Sequence, residues 1–479
     1  MHLGVMLFHV MAPQAAQRRS RLASGLSLCG GFLKHAFSSI ADSSHNAHCD
    51  HKADVVMLSD GISFSSIDGQ WYEKFCDPIR DALSLSDVSS FLMTPQNRYY
   101  QPRHSPSMFI HPALTTILLK NMFRTSDRDI YKALPNYEEF LAFLGEKFPQ
   151  MPLLDSLWLS RQIRSLEDIS RYYTKILKKL NPAVAFIVSY YWTEGMAFIH
   201  ACRQYGIPVI DIQHGAQGPL HKAYGRWIKI PQDGYELLPS HFYCWSEYEA
   251  ETIGDWNSQS PGAHIPMIVG NRWLSFWKDS NNTAIKRYDS QLSQLKDSIP
   301  STYHLLVTLQ PEFSGPKFLE PLFKAISLMG DSFHWWFRLH PMMMDKRHLI
   351  KKLLSQQIAG RFDLDWSSDI PLPALLRQVD VHLTFCSTVI TEAVFFGVPS
   401  VILDQFGVEF FPKEMESGWA VAAFSTEEIT EAIKRQILVK VDPLGDMEMS
   451  GESFVDPISE VVSMIRNIRA QKELNAIDR

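Results

Sequence analysis

One stretch restricts the folding options of this 479-residue chain more than any other. Val184 to Ser189 is an uninterrupted apolar strand, Thr193 to Tyr205 reads as a helix, Gly206 caps it, and Ile207-Pro208 opens a second strand, Val209 to Ile212. Strand, helix and strand in this rhythm make a βαβ unit, which forces a parallel sheet with a right-handed crossover. The theme recurs. Strands are expected at Ala53–Leu58, Phe91–Thr94, Ser240–Trp245, Ile265–Val269, Tyr303–Leu309, His334–Leu339, Phe362–Trp366, Val381–Phe385 and Ser400–Leu403. Helical periodicity fills most intervals, including Arg161–Leu180, Pro316–Met329 and Lys346–Gln357, while Ser425 with Glu428 forms a capping box. A helix is also expected over Trp71–Leu83, broken near Pro78.

The pattern predicts an α/β protein with two Rossmann-like, doubly wound domains facing a cleft. Expected boundaries are a poorly ordered N-terminal extension over 1–52, a first domain over 53–270, a second over 271–440, and a linker with a C-terminal helix over 441–479. Met1–Pro13 is apolar, but Arg18, Arg19 and Arg21 follow it, the wrong order for a secretory signal. No apolar run reaches the roughly 18–20 residues of a spanning helix, so a cytoplasmic protein is expected. The net charge of -6 gives no global reason to expect nucleic-acid binding. Six scattered cysteines without CxxC spacing suggest neither a zinc site nor a disulfide framework. Cys386 reads as a packing residue.

Candidate chemistry gathers where strands end, because open α/β sheets bind ligands beyond the carboxyl ends of their strands. One strand ends in Arg338-Leu339-His340-Pro341. Another breaks at Cys386-Ser387-Thr388 into a helix carrying Glu392, closed by Gly397-Val398-Pro399. Ser387 and Thr388 at a helix N-terminus suit a phosphate, and Glu392 one turn on suits a ribose diol. The plainer reading of such a junction is an N-cap. In the first half, Gln213-His214-Gly215 follows a buried strand, so His214 is the best candidate base, with a core or capping histidine as the alternative. Asp60, Asp68 and Glu194 are acidic alternatives. Glu194 could instead complement its helix dipole, Asp211 could orient His214, and Lys222 could neutralise a phosphate. Asp363-Leu364-Asp365 has the letters of a metal-binding DxD but reads as a strand with a polar face. Trp335-Trp336 and Phe395-Phe396 read as core.

Over roughly residues 180–440 these motifs resemble the GT-B glycosyltransferases, more narrowly the bacterial capsule and O-antigen surface-polysaccharide enzymes. The HP-motif families such as the β-Kdo transferases and sialyltransferase-like enzymes are the nearest in pattern. The matching pieces are Gln213-His214-Gly215, Gly270-Asn271, Leu309-Gln310-Pro311, Arg338-Leu339-His340-Pro341, Ser387-Thr388 with Glu392-Ala393, and Gly397-Val398-Pro399. The resemblance implies a metal-independent glycosyltransferase without a cofactor. Its nucleotide-sugar donor would be bound by Gln310, Arg338, His340, Ser387, Thr388 and Glu392. Its acceptor would be a glycan or lipid-linked surface polysaccharide such as lipopolysaccharide, met at the inner membrane face by peripheral association. Three alternatives stay open: a CDP-glycerol-type glycerophosphotransferase, a non-catalytic GT-B scaffold, and a sugar-nucleotide epimerase. The last shares the two-domain fold but needs several acid/base carboxylates and no acceptor.

Overall fold

The computed structural model describes residues 51–95, 100–122, 136–147, 156–228, 230–258, 260, 262–279, 281–311, 315–358, 360–439 and 456–477. The expected N-terminal extension lies outside them save for its last two residues, as do Cys29, Cys49 and most of the expected linker. The chain divides into two compact units. One comprises Glu73–Val269 with the chain up to Phe64 and the C-terminal helix Pro457–Ile477; the other comprises Ser65–Tyr72 and the chain from Gly270.

The first unit is built on a seven-stranded sheet. Its strands are β1 (Val55–Leu58), β4 (Ser90–Thr94), β5 (Ser107–Phe109), β6 (Val184–Val188), β7 (Val209–Ile212), β8 (His241–Cys244) and β9 (Ile265–Ile268). They lie in the order β5-β4-β1-β6-β7-β8-β9, and every neighbouring pair is parallel. Side chains alternate across the sheet. Val56, Leu58, Ala185 and Ile187 join a core on one face with the helices Ser156–Leu180 and Thr193–Gln204. Val55, Met57, Val184, Phe186 and Val188 join a core on the other with the helix Asp77–Ser84 and the C-terminal helix. Burial on both faces is why these strands read as continuous apolar runs.

The second unit repeats the plan with β10 (Tyr303–Thr308), β11 (Phe333–Arg338), β12 (Phe362–Asp363), β13 (Val381–Thr384), β14 (Ser400–Ile402) and β15 (Ala420–Ala422). The order is β12-β11-β10-β13-β14-β15, again all parallel. Trp335 and Trp336 are both fully buried and face opposite cores, as expected of core aromatics. Numbered within its own sheet, the second unit runs 3-2-1-4-5-6, the order of dinucleotide-binding sheets, and the first runs the same way with a seventh strand added at the end. The order reverses between β1 and β6 in one unit and between β10 and β13 in the other. Such switch points open a crevice at the strands' carboxyl ends.

Two local expectations are corrected. Trp71–Leu83 is not one broken helix. It is β3 (Gln70–Glu73), which pairs with β2 (Phe64–Ile67), followed by the helix Asp77–Ser84 with Pro78 in its first turn. There Pro lacks an N–H that the helix would leave unpaired anyway. The β2–β3 turn is Asp68-Gly69, both with positive φ (50° and 79°), a conformation that Asp and Gly tolerate. Asp363-Leu364-Asp365 is not one strand: β12 ends at Asp363, and Asp365 opens the helix Asp365–Asp369. Asp363 Oδ1 accepts the Ser367 N–H at 2.7 Å, which starts that helix.

Candidate functional site

At the first unit's switch point β1 delivers Ser59 and Asp60, and β6 delivers Ser189, Tyr190 and Tyr191. Asp60 is 4% exposed and closes its own turn: Oδ1 accepts the N–H groups of Ile62 and Ser63 at 2.9 Å each, and Oδ2 accepts the Ser63 hydroxyl at 2.5 Å. After β6 the chain turns at Ser189, whose φ is +61°. Gly195, one turn into the next helix, is packed so tightly that a Cβ there would come within 2.6 Å of the Tyr190 carbonyl. That close approach fixes the Tyr190-Tyr191 turn.

His214 follows β7. Gln213 beside it is fully buried, donates to the Gly215 carbonyl at 3.0 Å and accepts the Trp245 N–H at 2.6 Å, tying the end of β7 to the end of β8. His214 Nε2 lies 3.2 Å from the Tyr191 hydroxyl, and its ring meets Phe75 edge-on at 6.4 Å between centroids. Burial lowers the imidazole's pKa, and the charge of Asp60 works the other way. Burial pushes the Tyr191 phenol up to about 12. At neutral pH both groups are uncharged and hydrogen-bonded, with Asp60 close enough to favour an imidazolium when one forms. That is an acid–base pair beside a fixed anion.

A second carboxyl lies behind Asp60. Glu73, at the end of β3, has no exposed surface, and its Oε1 is hydrogen-bonded to Ser59 Oγ at 3.2 Å. Burial, then the charge of Asp60, push it up to about 8. Burial also holds the Cys76 thiol well above its ordinary range, so that cysteine is not a nucleophile.

The other candidates from the first half of the sequence fall elsewhere. Glu194 sits in the first turn of Thr193–Gln204, where a carboxylate complements the dipole. Asp211 lies within β7 and accepts the Tyr224 hydroxyl at 2.8 Å instead of holding His214. Asp68 pairs with Arg287 at 2.7 Å.

In the second unit Gln310, after β10, reaches across the switch point to the turn after β13. It accepts the Cys386 N–H at 2.8 Å and donates to the Cys386 carbonyl. Arg338 Nη1 donates to the carbonyls of Ser367 and Ile370, at 2.6 Å each. Burial brings its pKa down to about 10, while the charges of Glu392 and Asp369 oppose the shift. His340 caps the 3-10 turn Pro341–Lys346, its Nδ1 accepting from Met342 N–H at 3.2 Å. Ser387 Oγ accepts the Val389 N–H at 3.3 Å, and Thr388 precedes the seven-residue helix Val389–Phe395 that carries Glu392. Cys386, Ser387, Thr388 and Glu392 are all half-buried. Among the described residues no three His, Cys, Asp or Glu side chains are grouped to hold a metal ion, and no helix is long and apolar enough to cross a membrane.

No protein-family model matches the chain, and no curated protein sequence matches it significantly. Solved structures do. The UDP-GlcNAc 2-epimerase of Methanocaldococcus jannaschii superposes with a TM-score of 0.51 at 12% identity, over 85% of this chain and 99% of that one. A complex of the same organism's enzyme with UDP-GlcNAc and UDP gives 0.50 at 13%, over 88% and 99%. The Neisseria meningitidis enzyme bound to UDP-GlcNAc gives 0.49 at 15%, over 87% and 99%. The fold matches that of UDP-GlcNAc 2-epimerases. At these identities the likeness establishes two Rossmann-like domains of GT-B type. It also overturns the expected surface-polysaccharide glycosyltransferase, since the matched structures are sugar-nucleotide epimerases.

Two residues of the first-unit cluster, Tyr191 and Glu73, escape the sequence reading. Tyr191 carried a usable signal, since it stands three residues beyond the end of a buried strand. Glu73 carries none, because the apolar residues around it also fit a helix.

Proposed function

We propose that the chain is an epimerase acting on a nucleotide-activated sugar, with UDP-N-acetylhexosamines the first substrates to try. The observation that carries this reading is the strand-end cluster of the first unit, in which His214 and Tyr191 form a hydrogen-bonded pair in the field of Asp60, backed by Glu73. Inverting a carbon that bears hydrogen requires a group that removes the proton and a group that returns one. His214 is the base, Tyr191 shares its proton, and Asp60 favours the imidazolium formed midway. The need for carboxylates, which separated an epimerase from a transferase at the level of sequence, is met in part by Asp60, whose charge acts on His214. The fold likeness to enzymes whose structures hold UDP-GlcNAc supports the substrate class. Arg338, His340, Ser387, Thr388 and Glu392 remain the nucleotide-binding candidates of this reading, with Gln310 supporting the turn that carries two of them.

The test is proton NMR of UDP-, dTDP- and GDP-linked sugars incubated with the protein. One sugar is expected to convert into a mixture with its epimer, and His214→Ala to slow this by about 10²–10⁴-fold. No interconversion anywhere in the panel would sink the reading.

A further inference from the structure

We propose that Glu73 is a positioning residue for the acid–base site, acting through Ser59 on the turn that carries Asp60. The inference rests on the reading of that cluster as the chemical centre. Glu73 Oε2 accepts the N–H of Phe75 at 2.9 Å and that of Cys76, while Oε1 is bonded to Ser59 Oγ. Ser59 Oγ in turn accepts the Gly61 N–H at 3.0 Å, inside the turn that Asp60 closes. An unbroken chain of hydrogen bonds therefore runs from a carboxyl without solvent contact to the backbone next to Asp60. Since two amides occupy Oε2, the neutral acid carries its hydroxyl on Oε1, toward Ser59.

The surroundings keep the acid neutral. Asp60 faces it from the turn after β1. From the start of the helix Asp77–Ser84 come Asp77, which accepts the Glu73 N–H at 2.7 Å, and the Cys76 thiol. Arg80 on the same helix pairs with Asp77 at 3.6 Å and tempers its charge. Lys74 is the next residue in sequence, and His214 lies across the Phe75 ring. Burial and the neighbouring carboxylates place the ionisation of Glu73 near 8. Above that pH a second buried anion stands beside Asp60, Ser59 Oγ turns from acceptor to donor on its bond to Oε1, and the turn is strained by like-charge repulsion. The site then carries a proton-dependent brace, uncharged at neutral pH and repelled by Asp60 in alkali.

Glu73→Gln reproduces the neutral acid, with a carbonyl oxygen for the two amides and an N–H for Ser59, and it cannot ionise. The experiment follows the imidazole resonances of His214 against pH, in full-length protein labelled at histidine, for wild type and Glu73→Gln, alongside kcat/KM against pH on whichever nucleotide sugar is turned over. His214 is expected to show an inflection near pH 8 in the wild type that is absent in Glu73→Gln. The alkaline limb of kcat/KM is expected to vanish in the variant, with the value at pH 6.5 kept within about threefold. Identical His214 titrations in the two proteins would overturn the proposal. So would a Glu73→Gln that fails to fold, since glutamine supplies every hydrogen bond of the neutral acid. The two readings fail separately: an inflection without turnover retires the epimerase, and turnover without an inflection retires the brace.

Discussion

At the scale of single residues, the account turns on the 3.2 Å contact between Tyr191 and His214. Tyr191→Phe keeps the ring packing and removes only the hydroxyl. It is expected to lower kcat by about 10²-fold with KM little changed, since a proton-transfer partner is lost and no binding group. Steady-state kinetics on the variant decides it, and an unchanged kcat would leave Tyr191 a packing residue. His214 and Asp60 were visible in the sequence because both follow apolar strands directly. Tyr191 was not singled out because its partner lies 23 residues away, on a different strand end. Glu73 was hidden by a wrong period. Asp68-Gly69 is a hairpin signal, yet the apolar residues of Trp71–Leu83 also fit a helix, and Pro78 looked like a break in it.

At the scale of elements, the strands were legible except β2, β3, β5 and β15, and the use made of polar side chains was not. Two side chains expected to touch ligand make internal bonds. Gln310 clamps the turn after β13, and Arg338 holds two carbonyls beyond β12. Sequence alone cannot separate the two uses, since the same residue types at strand ends serve either. Gln310→Ala is expected to cost about 1–3 kcal/mol, because the N–H and carbonyl of Cys386 lose partners in a half-buried turn. Urea unfolding measures it, and a loss below about 0.5 kcal/mol would mean the clamp contributes little. A similar tie crosses three strands: His382, fully buried on β13, bonds Thr308 on β10 at 2.8 Å and Ser400 on β14 at 3.0 Å. Burial keeps that ring neutral, so one nitrogen donates to its hydroxyl and the other accepts.

At the scale of the whole molecule, those buried rings shape its response to pH. Burial brings His382 and His221 down to about 3 and His304 down to about 4. Their ordinary value is 6.5, so on acidification the unfolded chain takes up protons that the folded chain refuses. Their contribution is whole above pH 6.5 and is lost progressively as pH falls from there toward 4 and 3. Glu73 has the opposite sign. Its folded value lies above its unfolded one, so its contribution is present below about pH 4.5 and is lost as pH rises toward 8. The urea midpoint is therefore expected to decline between pH 6.5 and 4, and again, less steeply, toward pH 8. A midpoint that rose steadily on acidification would contradict the buried neutral histidines. The presence of two successive βα arrays was readable from repeated βα runs; the shared strand order was not. The placement of the C-terminal helix with the first unit was not, because its apolar side specifies burial without naming a partner.

The most direct test of the central claim is turnover of a nucleotide sugar in deuterium oxide, followed by proton NMR at the inverted carbon. If His214 and Tyr191 exchange the substrate's proton with solvent, the epimer carries deuterium at that carbon, and Tyr191→Phe slows label and product together. An epimer formed with its original hydrogen retained would contradict the account, because the cluster would then take no part in proton transfer.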